Sequence, residues 1–167
     1  MQSLPWVYFA GKVSFHDWRE RLVLGLRGQP LGQPIQSCGF IYSGPYFVDF
    51  AHGSYREEGY HGVAEEANTG GSYGPSIHRD HIPSHCRRWI LRANLVYAWV
   101  DDPTCFGTLV EIGWAQAAEK LVYLAFAEPA LANDMWFATK LGRTFSGVHS
   151  TAESGLRKAL LLATGAA

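Results

Sequence analysis

Three short apolar runs without polar alternation, Trp6–Ala10, Leu95–Val100 and Leu121–Phe126, constrain this chain more than any other feature. A strand with one face in water alternates apolar and polar residues, so an uninterrupted run reads as a parallel strand covered on both faces. Helix-compatible sequence follows, at Ser14–Leu24, Phe106–Lys120 and Asn133–Leu141, with apolar residues three and four apart. Ser14 with Asp17 three residues later resembles a capping box. Pro83–Ala93 reads as the helix feeding the second run, with Pro83 in its first turn, and Thr151–Thr164 as a closing amphipathic helix. The strand-then-helix rhythm predicts a doubly wound α/β sheet. At 167 residues, one domain spanning 1–167 is expected.

Between residues 25 and 81 the rhythm dissolves into Gln-Pro, Gly-Pro and Gly-Gly steps, interrupted by one apolar stretch at Phe40–Phe47 that can supply another strand. An irregular insert of this length is a binding loop, a lid or a disordered segment. Its rings (Tyr42, Tyr46, Phe47, Phe50, Tyr55, Tyr60, Tyr73) and histidines (His52, His61, His78) make it too aromatic for simple disorder. The chain as a whole is 14% aromatic, and much of that excess falls here, which predicts an insert that folds over the site and stacks rings on a planar ligand.

Charge and motifs exclude several classes. A formal net charge of -1 removes the basic footprint of a nucleic-acid binder, and no run approaches the roughly 20 apolar residues of a membrane span. Cys38, Cys86 and Cys105 are too few and too irregular for a disulfide framework, which fits a reducing cytosol and a cytoplasmic protein. The N-terminus lacks the basic start and apolar stretch of a signal peptide. There is no GxGxxG, GxxxxGK[ST] or GxSxG motif, so dinucleotide binding, P-loop chemistry and serine hydrolysis have no sequence support. His78, His81, His85 and Cys86 are spaced tightly enough for metal ligands, but no second cluster matches them, and hydrogen-bonded or solvated histidines at a loop-helix junction are the favoured reading. No metal or other cofactor is expected.

In an open parallel sheet, ligands sit outside the carboxyl ends of the strands where the strand order reverses. Two loops then face each other: 10–16, with Gly11, Lys12 and His16, and 101–107, which leads into a helix bearing Glu111. Gly107, Thr108, Trp114, Ala115 and Ala118 share the Glu111 face, which is apolar or small, so a carboxylate there needs a partner to offset its desolvation. Tyr8 on the first strand can supply one; the plainer readings are a helix-start glutamate and a core tyrosine. Asp101 and Asp102 close the second strand, either as ligand or acid/base groups or, for Asp102 before Pro103, as a helix N-cap. Lys12 and Arg19 can meet a phosphate or simply face solvent. The candidate catalytic residues are Glu111, Tyr8, Asp101 and Asp102. The candidate substrate-binding residues are Gly11, Lys12, His16, Arg19, Tyr46, His85, Cys86, Gly107 and Thr108.

The strand VYFAGKV (7–13), the block DDPTCFGTLVEIGWA (101–115) and the late DMWF (134–137) resemble the nucleoside 2-deoxyribosyltransferases and their relatives, the nucleoside 5'-monophosphate N-glycosidases. The resemblance covers half to two thirds of the chain and leaves the insert unmatched. It implies a flavodoxin-like or Rossmann-like, mainly parallel five-stranded sheet with helices on both faces. It also implies a homodimer or higher homo-oligomer in which a neighbouring subunit completes the pocket, and cleavage of an N-glycosidic bond of a nucleoside, deoxynucleoside or nucleotide without cofactor. Glu111 matches the nucleophilic glutamate, Tyr8 the tyrosine that orients it, and Asp101 or Asp102 the loop aspartate. Cys86 stands where many members carry a site aspartate, so His85, His81 or one of the paired aspartates would have to replace that acid. The enlarged insert also admits an NAD-cleaving glycohydrolase, and the thiol at 86 a nucleotide sensor that binds without turnover.

Overall fold

The computed structural model describes residues 3–13, 17–26, 32–46, 60–61, 77–78 and 81–165. The three apolar runs are strands β1 (Trp6–Ala10), β6 (Leu95–Val100) and β7 (Leu121–Phe126), with the bounds read from the sequence. All six residues of β6 are buried, as are all but the first of β1 and of β7, which is why no polar residue interrupts them. Phe40–Tyr42 forms β3, inside the expected stretch, and Ile35–Ser37 precedes it as β2. The last strand, β8 (Thr144–Val148), carries largely exposed residues. Tyr60–His61 (β4) and Ile77–His78 (β5) pair antiparallel in a separate two-stranded sheet.

The main sheet runs in the order β2-β3-β1-β6-β7-β8. Its neighbours are parallel except β2, which pairs antiparallel with β3, so the five parallel strands gain a sixth at the edge. Taken alone, the parallel strands follow the order second, first, third, fourth, fifth, which is the flavodoxin-like doubly wound order. Part of the 25–81 region is therefore regular structure.

The helices are α1 (Arg19–Leu22), α2 (Ile82–Arg92), α3 (Phe106–Ala117), α4 (Pro129–Asp134) and α5 (Ala152–Thr164). Right-handed crossovers place α2, α3 and α4 on one face of the sheet and α1 with α5 on the other. In α5 the Thr151 hydroxyl accepts the Ser154 amide at 3.1 Å, and Gly165 ends the helix at a φ of +69°. Two helix expectations shift. The α1 helix covers four residues of the expected Ser14–Leu24, and the capping-box serine lies outside the described residues. The segment expected as one helix at Asn133–Leu141 is the end of α4 followed by a 3₁₀ turn at Ala138–Lys140, because Pro129 starts α4 early.

Alternation along β1 divides the core. Phe9 points to the α1/α5 face, where its ring packs 5.4 Å from Trp18 and 5.6 Å from Tyr97, while the Tyr97 hydroxyl donates to Ala152 O at the start of α5. Tyr8, one residue earlier, points to the opposite face, toward α2 and α3. Among the described residues no helix is long and apolar enough to cross a membrane.

Candidate active site

Chain order reverses between β1 and β6, and the loops after these two strands border a cavity of about 310 Å³, near the lower end of small-molecule sites. Gly11 and Lys12 line it from the first loop, Thr104 and Cys105 from the second, Gly107, Thr108 and Glu111 from α3, and Cys86 from α2. Glu111 is the single carboxyl group among these lining residues.

Helix α3 places Glu111 because Thr108, Ile112 and Ala115 are buried against the sheet and carry their shared face inward. There the Tyr8 hydroxyl donates to Glu111 Oε1, and the Cys86 thiol lies beside the pair. Burial pushes the Glu111 carboxyl up to about 7, against the opposing pull of the Tyr8 hydroxyl, the Arg19 charge and the Cys86 thiol. Burial, followed by the Glu111 charge, raises both the Tyr8 phenol and the Cys86 thiol, so both stay protonated at neutral pH. The arrangement is a carboxylate with a neutral phenol donating to it and a neutral thiol beside it, facing an open volume.

The rim is built differently. Lys12 Nζ donates to Asp102 Oδ2 at 2.6 Å and to Thr104 Oγ1 at 2.8 Å, and Asp102 Oδ1 accepts the Thr104 amide at 2.7 Å. The Lys12 bond, then those of Thr104, hold the Asp102 carboxyl down at about 2. It is thus a fixed anion and not a proton donor near neutrality. Nor does it cap the helix: α3 starts at Phe106, with Cys105 at the N-cap. Asp101 is exposed and accepts the Trp99 indole N–H at 3.0 Å.

Arg19 also lines the cavity, but it does not face solvent. It is 1% exposed, with Nη1 on both Asp17 carboxylate oxygens at 2.9 Å, Nε on Phe9 O at 3.1 Å and Nη2 on Gly11 O at 2.8 Å. It clamps the end of β1 to the start of α1 instead of facing solvent. Gly11 is required beside it: its φ is +151°, and a Cβ there would lie 2.8 Å from Trp99 O.

Two further candidates are not among the described residues of the cavity wall: Tyr46 is buried in the core and His85 is half-buried. The Tyr46 ring packs 5.0 Å from Trp89, with its hydroxyl donating to Tyr42 O and accepting from Arg92 Nη2, each at 3.0 Å. His85 leans on the same Trp89 ring at 5.4 Å, and burial with the Arg88 and His81 charges lowers its pKa. Adjacent on α2, His85 and Cys86 point apart, as one helical step of 100° requires. Among the described residues no group of three His, Cys, Asp or Glu side chains can hold a metal ion. His16, and the rings and histidines expected to stack from 47–59 and 62–76, lie outside the described residues, as do the side chains of Tyr60, His61 and His78.

Sequence reasoning passed over Thr104, Cys105 and Phe106 as individual wall residues, although their loop was identified, and it also missed Pro45 and Ile82. The Gly-Pro step at 44–45 was the available signal for Pro45.

No protein-family model matches the chain, and a search of the curated proteins returns no match. Among solved structures the chain is similar to the CMP N-glycosidase BcmB of Clostridium botulinum, with a TM-score of 0.44 and 22% identity over 52% of this chain and 71% of that one.

Proposed function

We propose that this chain cleaves the N-glycosidic bond of a nucleoside, deoxynucleoside or nucleotide, with Glu111 as the nucleophile. The observation that carries the reading is the Glu111 carboxylate, held by Tyr8 with Cys86 beside it and facing a cavity of about 310 Å³ at the strand-order reversal. A carboxylate held facing the sugar can act as the nucleophile of a retaining reaction, forming a covalent glycosyl-enzyme that a second acceptor resolves. Glu111 attacks the anomeric carbon, and the base leaves with the electrons of the C–N bond and takes up a proton. A water molecule or a second base then attacks the same carbon and frees the carboxylate. Lys12, held at the rim by Asp102 and Thr104, supplies positive charge beside the entering ligand.

The test is a panel of nucleosides, their 5'-monophosphates and NAD, with and without an acceptor base, read by chromatography for released or exchanged base. Base release is expected from at least one nucleoside or nucleotide. Glu111→Gln should abolish it, and intact mass after rapid quenching should show one glycosyl group on the wild-type chain. Release undiminished in Glu111→Gln overturns the reading. Nicotinamide release from NAD alone moves the substrate class to dinucleotides, and a ligand that raises Tm yet returns intact identifies a binding module.

A further inference from the structure

On the face of the sheet opposite Glu111, a second cavity runs between α1 and α5. Its volume is about 580 Å³, within the range of small-molecule sites and larger than the cavity at the strand-order reversal. Much of its wall is apolar, made by Leu156 and Leu160 of α5, Leu22 and Leu24 at the end of α1 and just beyond it, and Phe40 of β3. From Glu153 to Leu160 this wall follows about 10 Å of helix, room for a medium-length alkyl chain.

One end of the groove is suited to negative charge. A smaller cavity of about 100 Å³ adjoins the first and shares Arg21, Leu22 and Glu153 with it. Thr151, Ala152 and Trp18 complete its wall. Thr151 caps the 13-residue α5 by accepting the Ser154 amide, which leaves the amides of Ala152 and Glu153, at the first two helical positions, without an intrahelical acceptor. Those amides stand at the positive end of the helix dipole. Arg21 is exposed and forms no ion pair among the described residues. The Glu153 carboxylate on the same wall is held by Arg157 at 2.5 Å, so it does not neutralise Arg21.

A second, independent feature points the same way. Trp18 is 4% exposed, and its indole N–H is the one buried side-chain donor without a hydrogen-bond partner among the described residues. Leaving a buried donor unpaired is costly, so an acceptor brought to this end of the groove is favoured.

We infer that the groove between α1 and α5 binds a small amphipathic anion, an alkyl chain bearing one carboxylate. The chain lies along Leu156 and Leu160, and the head group is received by Arg21, the start of α5 and the Trp18 indole. Burial of the chain supplies affinity, and the charge-assisted bonds select the head group. Among the described residues the groove shares no wall residue with the cavity of Glu111, so its occupant is not the substrate of that cavity.

Proton–nitrogen correlation NMR of the full chain titrated with octanoate tests this without reference to activity. Octanoate should bind one to one with a Kd below about 1 mM and move the amides of Ala152 and Glu153. It should also move the Trp18 indole signal, identified by its loss in Trp18→Phe. Octanol, which lacks the charge, and acetate, which lacks the chain, should each bind at least about tenfold more weakly. Arg21→Glu, at an exposed position, should weaken octanoate by about tenfold or more and octanol by less than about threefold. Leu160→Glu should weaken both with an unchanged circular dichroism spectrum, and Glu111→Gln should weaken neither. Absence of a saturable shift up to about 10 mM octanoate overturns the inference. Octanol or acetate binding as tightly as octanoate, shifts confined to the cavity of Glu111, or undiminished binding by Arg21→Glu overturns it as well.

Discussion

The floor and the rim of the cavity hold the same functional group under opposite conditions. On the floor, Glu111 has an uncharged phenol and an uncharged thiol for partners. The Arg19 charge that reaches it is already answered by Asp17, and burial drives the carboxyl up to about 7. On the rim, Asp102 lies in solvent against an ammonium group and is held near 2. A carboxylate with neutral donors in a confined space is costly to ionise and correspondingly nucleophilic when ionised. One beside a cation in water is a fixed charge that positions its neighbour.

The largest expected effect is the loss of Glu111. Glu111→Gln should lower kcat/KM for base release by about 10³-fold or more, as removal of a covalent nucleophile does, while Asp102→Asn should leave most of it. If both variants lose activity equally, the contrast between floor and rim is wrong. The next effect falls on the pH profile. Because Glu111 must be ionised to attack, kcat/KM should rise with pH through about 7 and level off above it. Tyr8→Phe removes a bond that favours the ionised form, so it should move that rise to higher pH and lower activity at pH 7 by about 10–100-fold. Cys86→Ala should move the rise in the same direction but less, since the thiol contributes less than the phenol.

Stability offers a smaller but independent measure. The Glu111 carboxyl titrates near 7 in the fold against an ordinary value of 4.5, so the folded state holds the proton more tightly than the unfolded chain does. The associated stability is complete below pH 4.5 and lost as pH rises through 7, a difference of about 3 kcal/mol at 1.4 kcal/mol per unit. Thermal melts should therefore show Glu111→Gln gaining several degrees on the wild type between pH 4 and pH 8. Asp102 has the opposite sign, with stability present above its ordinary value and lost only as pH falls toward 2. Being exposed, its replacement by Asn should shift Tm at pH 7 by no more than about 1–2 °C, the smallest change in the series.

How far the sequence could be read follows from burial. The strands β1, β6 and β7 are covered on both faces, so each is written as a continuous apolar run with readable ends. At the sheet edges, β8 exposes Phe145, Ser146 and Val148, and β2 has three residues, so neither leaves such a run. The Tyr8–Glu111 pair was legible because a carboxylate on an apolar helix face needs a partner. The Lys12–Asp102 bond spans 90 residues, and nothing local to either residue announces it. That Tyr46 and His85 pack on Trp89 was not legible, because aromatic content does not say what a ring rests against. The burial of Arg19 was not legible because two of its acceptors are the backbone carbonyls of Phe9 and Gly11, which sequence does not display.

The Arg19 clamp reaches beyond the loop it secures. By tying the carbonyls of Phe9 and Gly11 to Asp17, it removes the conformational freedom of the backbone next to Lys12 during folding, before any ligand arrives. That entropy is not lost a second time on binding, so this side of the cavity is preorganised and more of the contact energy is retained as affinity.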